Sequence, residues 1–352
     1  MAQKNSHNLQ KAVAGLVKNL SARNRDIVSR RFGLGTGEKE TLESIGESYG
    51  ITRERVRQIQ DFALAQLTSL AVINKDVSKH VAAAKAVLER HGGIMKETEL
   101  FKAYTGNEKV SAANASLAFL LSLSKEVSHL HENDHLHAVW AMNQEKLETY
   151  QETIVSLVGA LNSHGKPLMP ERVCALAGES KVRLGGGQLN EKHLDMLLAV
   201  SKDLGRNIFN EVGLTSWPQV RPKGVRDKAY LVMKKENKPL HFTTIAQLIN
   251  TASFDHKKVN VQTVHNELIK DKRFVLVGRG MYALVEWGYQ PGTVKDVLVA
   301  ILKGSSGPLA RADLVAKVKD ARLVKENTIV LNLQDASTFV RNNDGTYALK
   351  RA

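Results

Sequence analysis

The hydrophobic pattern of residues 41–67 predicts two helices joined by a tight turn. Three apolar residues stand at positions i, i+3 and i+7 of the first helix: Leu42, Ile45 and Tyr49. This spacing forms one apolar stripe, which must pack against other parts of the chain. Gly50 comes next and can adopt the left-handed conformation that turns a chain sharply at the end of a helix. Thr52 is then the expected N-cap of a second helix beginning at Arg53.

The second helix has an apolar face and a polar face. With helical spacing, the apolar stripe consists of Val56, Ile59 and Ala63. The opposite face carries Glu54, Arg57, Gln58 and Asp61, and Arg53 and Arg55 lie on its flanks. In the major groove of DNA, arginine can donate two hydrogen bonds to guanine and glutamine can pair with adenine. The pattern therefore favours a helix-turn-helix that reads base pairs over a helical hairpin with a merely solvated charged face.

A further helix precedes this pair. Four apolar residues near the N-terminus have helical spacing: Val13, Leu16, Val17 and Leu20. This helix is expected to lead directly into the helix-turn-helix.

The segment from Leu20 to Leu67 closely resembles region 4 of the primary sigma factors of bacterial RNA polymerase, which is their C-terminal promoter-reading region. The resemblance rests on two stretches, LSARNRDIVSRRFGL and TLESIGESYGITRERVRQI. In that family the region recognises the −35 element of promoters and docks on the polymerase flap. The resemblance therefore implies that the partners are double-stranded DNA and RNA polymerase.

The resemblance also implies roles for individual residues. The base-reading positions would be Arg53, Glu54, Arg57 and Gln58. The residues at DNA phosphates would be Thr52 and Arg55. The residues that pack the domain and contact polymerase would include Leu20, Ile27, Val28 and Phe32.

Two features depart from the sigma family. After Ile59 the family usually carries more lysine and arginine, whereas this chain reads QDFALAQ, so fewer phosphate contacts are expected. The resemblance covers about the first fifth of the chain, and we find no aromatic-rich segment like the one with which sigma factors melt the −10 element. A free-standing sigma factor is therefore not expected.

The later part of the chain repeats one plan four times: a helix, a glycine or proline turn, two more helices and a short hairpin that ends at an aromatic residue. The turn residues are separated by 74, 72 and 69 positions: Gly93, Pro167, Pro239 and Pro308. The closing aromatic residues are Trp140, Trp217, Tyr282 and Tyr347. Three helices followed by a hairpin form the winged-helix arrangement. The copy from Val225 to Leu284 resembles the winged helix of the RNA polymerase delta subunit, above all in KPLHFTTIAQLI and VHNELIKDKRFVLVGRGMYAL.

The predicted fold is therefore mainly α-helical, with an N-terminal helix-turn-helix domain followed by tandem winged-helix modules. Composition loosens near Val72, Asn143, Trp217 to Gly224 and Gln290, which predicts boundaries there. The expected domains are residues 1–72, 73–143, 144–220, 221–290 and 291–352.

Charge also favours a polyanionic partner. The 352 residues include 50 lysines and arginines against 36 acidic residues, for a net charge of +14. The densest basic stretch runs from Pro218 to Lys258. The possible accessory phosphate contacts are Arg221, Lys223, Arg226, Lys228 and Arg279, although such clusters are also typical of solvated surface.

Three segments could carry chemistry, and a structural role is favoured for each. HLHENDHLH, from His129 to His137, could bind a metal, but a polar exposed hairpin turning at Asn133–Asp134 explains it as well. RLGGGQ from Arg183 lacks the lysine and hydroxyl residue of a phosphate-binding loop, so a flexible loop is expected. Cys174, the single cysteine, is expected to be a buried apolar side chain.

No catalytic constellation, metal-bound-water motif or nucleotide fingerprint is recognisable, so no enzymatic activity and no cofactor are predicted. No apolar run reaches the roughly 18 residues of a transmembrane helix. The N-terminus lacks the apolar core of a signal peptide, and a cytoplasmic, nucleoid-associated protein without a membrane partner is expected.

The leading interpretation is a sequence-specific transcription factor. It would read a −35-type element and contact RNA polymerase, while the later modules add DNA or polymerase contacts. One alternative is a polymerase-associated protein that competes with sigma without reading DNA. Another is a component of a DNA restriction or modification system, because delta-like winged helices also occur in such proteins.

Overall fold

The computed structural model describes residues 2–255, 257–289, 291–322 and 324–350. The chain is mainly helical with small antiparallel sheets, which confirms the predicted fold class at that level. It divides into two units, residues 1–216 and 217–352. Within the described residues, no helix is both long enough and apolar enough to cross a lipid bilayer.

Four helices begin the first unit: α1 (Ala2–Val17), α2 (Ala22–Phe32), α3 (Leu42–Tyr49) and α4 (Arg53–Ile73). The end of α3 before Gly50 and the start of α4 at Arg53 are the bounds that the sequence predicted. Three further helices and three strands follow: α5 (Lys75–Arg90), β1 (Ile94–Lys96), α6 (Glu97–Thr105), α7 (Ala112–Leu123), β2 (Ser128–Leu130) and β3 (Val139–Ala141). The strands form an antiparallel sheet in the order β1-β3-β2.

One hydrophobic core joins six of the first seven helices, all except α3, with their sheet. Its buried members include Leu16 of α1, Leu67 of α4, Leu88 of α5, Phe119 of α7 and Trp140 of β3. The predicted boundary between residues 72 and 73 falls inside α4, and both sides of it contribute to this core. Helices α1, α2 and α4 are therefore packed with residues 73–143, and the predicted domain bounds stay a prediction.

The rest of the first unit contains a second set of helices with two hairpins. Its elements are α8 (Gln144–His164), α9 (Pro170–Glu179), β4 (Arg183–Leu184), β5 (Gly187–Gln188), α10 (Glu191–Val200), β6 (Leu204–Arg206) and β7 (Val212–Leu214). The prediction of a flexible loop at RLGGGQ is wrong, because β4 and β5 pair across it. Gly185 and Gly186 have φ angles of +57° and +82°, the left-handed values that a two-residue hairpin turn of this kind requires.

The second unit repeats one order of elements twice. The first copy consists of α11 (Val225–Glu236), β8 (Leu240–His241), α12 (Phe242–Ala252), α13 (Val261–Lys270), β9 (Phe274–Gly278) and β10 (Met281–Leu284). The second consists of α14 (Val294–Lys303), β11 (Leu309–Ala310), α15 (Arg311–Ala321), α16 (Glu326–Leu333), β12 (Phe339–Arg341) and β13 (Thr346–Leu349). Their sheets have the orders β8-β10-β9 and β11-β13-β12, the same pattern as β1-β3-β2.

Three of the four predicted closing aromatic residues lie in the last strand of a copy: Trp140, Tyr282 and Tyr347. Trp217 instead follows β7 and lies outside it. The assignment of the copies to winged-helix modules with the bounds given above stays a prediction.

Candidate nucleic-acid interface

The turn between α3 and α4 is built by two glycines. Gly50 has a φ of +63°, and its N–H donates to the carbonyl of Glu47. Gly46 is buried inside α3, and the N–H of Ile51 donates to its carbonyl at 3.0 Å. A Cβ at residue 46 would lie 2.7 Å from the carbonyl oxygen of Ile51, so only glycine fits there without a backbone shift. The sequence pattern predicted the role of Gly50 but not that of Gly46. A glycine inside a short helix was the feature that could have indicated this close backbone approach.

Threonine caps start both helices. Thr41 Oγ1 accepts from the N–H of Ser44 at 3.1 Å, and Thr52 Oγ1 accepts from the N–H of Arg55 at 3.2 Å. The predicted N-cap role of Thr52 is therefore confirmed. Because the hydroxyl accepts this bond, its own hydrogen is still free to be donated to another group.

A small core fixes the angle between the helices. Ile27 of α2, Ile45 of α3 and Val56 of α4 are fully buried against one another. Leu42, Tyr49, Ile51 and Ile59 pack around them. The apolar stripes predicted for both helices are thus the faces that meet, which leaves the opposite face of α4 outward.

Two arginines of α2 hold the segment that leads into α3. Arg30 donates to both carboxylate oxygens of Glu40 at 2.9 and 2.7 Å and to Ser48 Oγ at 2.8 Å. Hydrogen bonding from Arg30 lowers the pKa of Glu40, although partial burial acts in the opposite direction. Arg31 donates to the carbonyl of Glu40 at 2.9 Å and to Gln60 of α4 at 3.2 Å. These bonds tie α2, α3 and α4 together.

The polar side chains predicted to contact bases or phosphates are exposed at the N-cap and on the outer side of α4. The exposed residues are Thr52, Arg53, Glu54, Arg55, Arg57 and Gln58. Several of them are paired with one another: Arg55 donates to Gln58 at 3.0 Å, and Arg57 lies between Glu54 and Asp61 at 2.7 and 2.8 Å. The hydrogen bond from Arg57 lowers the pKa of Glu54. Sequence reasoning placed these residues on one face but did not find this pairing.

The residues implied to pack the domain or contact polymerase are mostly interior. Leu20, Ile27 and Val28 are buried. Phe32 is half-buried, and its ring centroid lies 4.9 Å from that of Phe119 in α7. In this structure all four therefore pack within the first unit, and a contact with polymerase stays a prediction.

Four of the five predicted accessory cations in the second unit are exposed: Arg221, Lys223, Arg226 and Arg279. Arg226 also lies 3.4 Å from Glu267. The structure contradicts the prediction for Lys228, which is only 7% exposed and donates to Asp255 at 2.7 Å. Its charge is used inside the fold, so Lys228 is not placed to contact a phosphate.

The histidine-rich segment makes two different contacts. The connection between β2 and β3 turns at Asn133, whose N–H donates to the carbonyl of Leu136 at 3.0 Å and whose Oδ1 accepts from the N–H of Leu136 at 2.8 Å. His129 lies 3.0 Å from the Glu97 carboxylate, whereas His135 lies 2.8 Å from Asp203. Across the part of the chain that the structure describes, no three His, Cys, Asp or Glu side chains are grouped as a metal site requires.

Cys174 is half-buried, and burial raises the pKa of its thiol, with further contributions from Glu191 and Glu171. A raised pKa disfavours the thiolate, which is the reactive form of cysteine.

Comparison with known proteins defines the class of the N-terminal segment. Residues 16–68 match the family model for sigma-70, region 4. Together with the geometry of α3 and α4, this match confirms that the segment is a DNA-binding helix-turn-helix of the sigma region 4 type.

The relatives that match this segment are sigma factors. RNA polymerase sigma factor RpoS of Coxiella burnetii is 51% identical over 59 residues, which are 17% of this chain and 17% of the relative. RNA polymerase sigma factor SigA1 of Synechococcus elongatus is 44% identical over 59 residues, covering 17% of this chain and 15% of the relative. RNA polymerase principal sigma factor HrdD of Streptomyces coelicolor is 41% identical over 56 residues, covering 16% of this chain and 17% of the relative. The chain thus spans only a small part of the relatives that it matches.

Proposed function

We propose that this chain is a sequence-specific DNA-binding transcription factor that reads a −35-type promoter element with the N-terminal half of α4. The observation that carries the proposal is the exposed set of Arg53, Glu54, Arg57 and Gln58 on a helix-turn-helix of the sigma region 4 type. These side chains occupy the end of the second helix that enters the major groove in this motif. Arginine and glutamine there can pair with guanine and adenine edges.

The start of α3 supports the proposed orientation on DNA. Arg31, Arg53 and the N-terminal residues Thr41 and Leu42 line one concave surface of about 340 Å³, which Glu43 also borders. Backbone N–H groups at a helix N-terminus and arginine side chains both favour anions. A DNA phosphate bound there would hold α3 on the backbone while α4 lies in the groove.

The later modules are proposed to contact DNA phosphates, and RNA polymerase is the proposed protein partner. The exposed cations Arg221, Lys223, Arg226 and Arg279 are suited to phosphate contacts that raise affinity without changing the sequence read. The sigma names of the relatives support RNA polymerase as a partner of the N-terminal segment. No enzymatic step is part of this proposal.

Base reading can be tested with the full-length chain and a pool of random duplexes. The wild-type protein should enrich one sequence, and Arg57→Ala or Gln58→Ala should reduce its preference for that sequence by roughly 5- to 150-fold per lost bidentate contact. Arg90→Ala is the matched control, because it removes an exposed arginine from α5, outside the helix-turn-helix. Equal losses on the enriched and a scrambled duplex would refute base reading.

A second candidate is a polymerase-associated protein that competes with sigma and does not read DNA. One observation favours it: α4 has no lysine or arginine from Gln60 to Gln66, and Phe62 in that stretch is 66% exposed. Capture of core polymerase by the purified chain, combined with no protection of promoter DNA in a footprint, would support this candidate.

A further inference from the structure

The side chain of Arg57 is held between two carboxylates on the surface of α4. Its Nε and Nη2 donate to Glu54 at 3.0 and 2.7 Å, and its Nη1 donates to Asp61 at 2.8 Å. The exposed fractions of the Arg57, Glu54 and Asp61 side chains are 52%, 59% and 52%. Every guanidinium nitrogen therefore has a carboxylate partner before DNA is bound.

The two carboxylates occupy different N–H donors of the Arg57 guanidinium. Glu54 occupies the edge formed by Nε and Nη2, so the edge formed by Nη1 and Nη2 could still face a base. Asp61 lies about one turn beyond Arg57 and engages Nη1, which belongs to that second edge. Glu54 thus orients the guanidinium, whereas Asp61 occupies a donor that a guanine would need.

We propose that Asp61 is a specificity-determining residue that competes with DNA for Nη1 of Arg57. This inference rests on the proposed function. A guanine offers O6 and N7 together and can offset the loss of the Asp61 contact. A phosphate on an unrelated sequence can also bind the Arg57 guanidinium, but this contact brings its negative charge against the adjacent Asp61 carboxylate. Asp61 therefore weakens binding to unrelated duplexes more than binding to the preferred one.

The test compares Asp61→Asn with a variant of equal charge change elsewhere. Asp76→Asn is that control, because Asp76 is an exposed residue of α5 that pairs with Lys79 at 3.4 Å. Dissociation constants are measured on the duplex enriched by the wild-type chain and on a scrambled duplex. Asp61→Asn should bind the scrambled duplex about two- to five-fold more tightly, the range expected for removal of an exposed ion pair, and should change the enriched duplex less.

A double-mutant cycle with Arg57→Ala separates competition from simple repulsion. If Asp61 acts through Arg57, then Asp61→Asn should have little effect in the Arg57→Ala background. A full effect in that background, or equal responses of Asp61→Asn and Asp76→Asn, would overturn the inference.

Failure of the proposed function gives a different result. In that case the wild-type chain enriches no duplex. If it still binds a random duplex, tighter binding by Asp61→Asn in the wild-type background but not in the Arg57→Ala background would support competition for Arg57, whereas no binding of any duplex would overturn both proposals. Thermal unfolding of each variant checks that the fold is unchanged.

Discussion

Replacing Gly46 with alanine should displace α4, the helix proposed to read DNA. Gly46 is buried in α3 at its closest approach to the turn that starts α4. An added Cβ would lie 2.7 Å from the carbonyl oxygen of Ile51 and 3.5 Å from backbone atoms of Thr52 and Arg53. These neighbours belong to the backbone, so they cannot yield by a side-chain rotation. Relief of the clash must therefore move the first turn of α4.

Two opposing effects determine how much Gly46→Ala changes the free energy of unfolding. Alanine favours a helix over glycine by about 0.5–1 kcal/mol. Overpacking a closed site costs about 1–3 kcal/mol, so Gly46→Ala should have a net destabilising effect of up to about 2.5 kcal/mol, with a central value near 1 kcal/mol. Gly15 of α1 is the matched control, since it is exposed and an added Cβ would meet no atom within 4 Å. Gly15→Ala should stabilise the protein by about 0.5–1 kcal/mol, the opposite sign for the same chemical change.

Thermal unfolding followed by circular dichroism measures both variants. In a unit of this size, 1 kcal/mol shifts the Tm by about 2–4 °C, so Gly46→Ala should lower the Tm of the first unit by about 2–4 °C at the central value. Its preference for the enriched duplex over a scrambled one should also fall, because the side chains proposed to read bases have moved. If Gly46→Ala is as stable as wild type and keeps that preference, the steric reasoning is wrong.

Two further predictions follow from buried and exposed charges. Burial raises the pKa of Glu97, but the His129 imidazole, 3.0 Å away, and the hydrogen bond from Trp140 Nε1 lower it more, so the pKa lies below the ordinary 4.5. The contribution of the Glu97 carboxylate to stability is therefore present above pH 4.5 and lost as the pH falls through the lower folded-state pKa. Glu97→Gln should show a smaller fall in Tm across that range than wild type, and parallel curves would contradict the assignment. Lys223→Ala should reduce the slope of log affinity against log salt by about 1, whereas Lys228→Ala should leave the slope unchanged and lower the Tm.

The helix-turn-helix could be predicted because its signals are local. Gly50 and Thr52 act on backbone groups within four residues of themselves, and the apolar stripe of α4 follows helical spacing. Local hydrogen bonding and helical spacing are therefore enough to predict the end of α3 and the start of α4. The resemblance of Leu20–Leu67 to sigma region 4 implied which positions would read bases, a proposal that spacing alone does not supply.

Features that depend on distant residues could not be predicted. In the sequence alone, Lys228 resembles a surface cation, but its partner Asp255 is 27 residues away, and only the fold brings them together.

The pairing of Arg57 with Asp61 did have a local signal, the spacing i, i+4 on one helix. An acidic residue at that spacing from a base-reading arginine is therefore a feature to test in any helix of this kind.

The shared core of the first unit decides which experiments can test base reading. Removal of residues 1–70 would take Leu16 and Leu67 out of a core in which Leu88 and Phe119 are fully buried. Exposing side chains of this size costs about 1.5–3 kcal/mol each, and a typical domain is stable by only 5–15 kcal/mol. Loss of DNA occupancy after such a truncation would thus follow from unfolding of residues 73–143 alone. Substitutions at exposed Arg57 or Gln58 leave that core intact, so a change in DNA preference in these variants can be assigned to the contacts of α4.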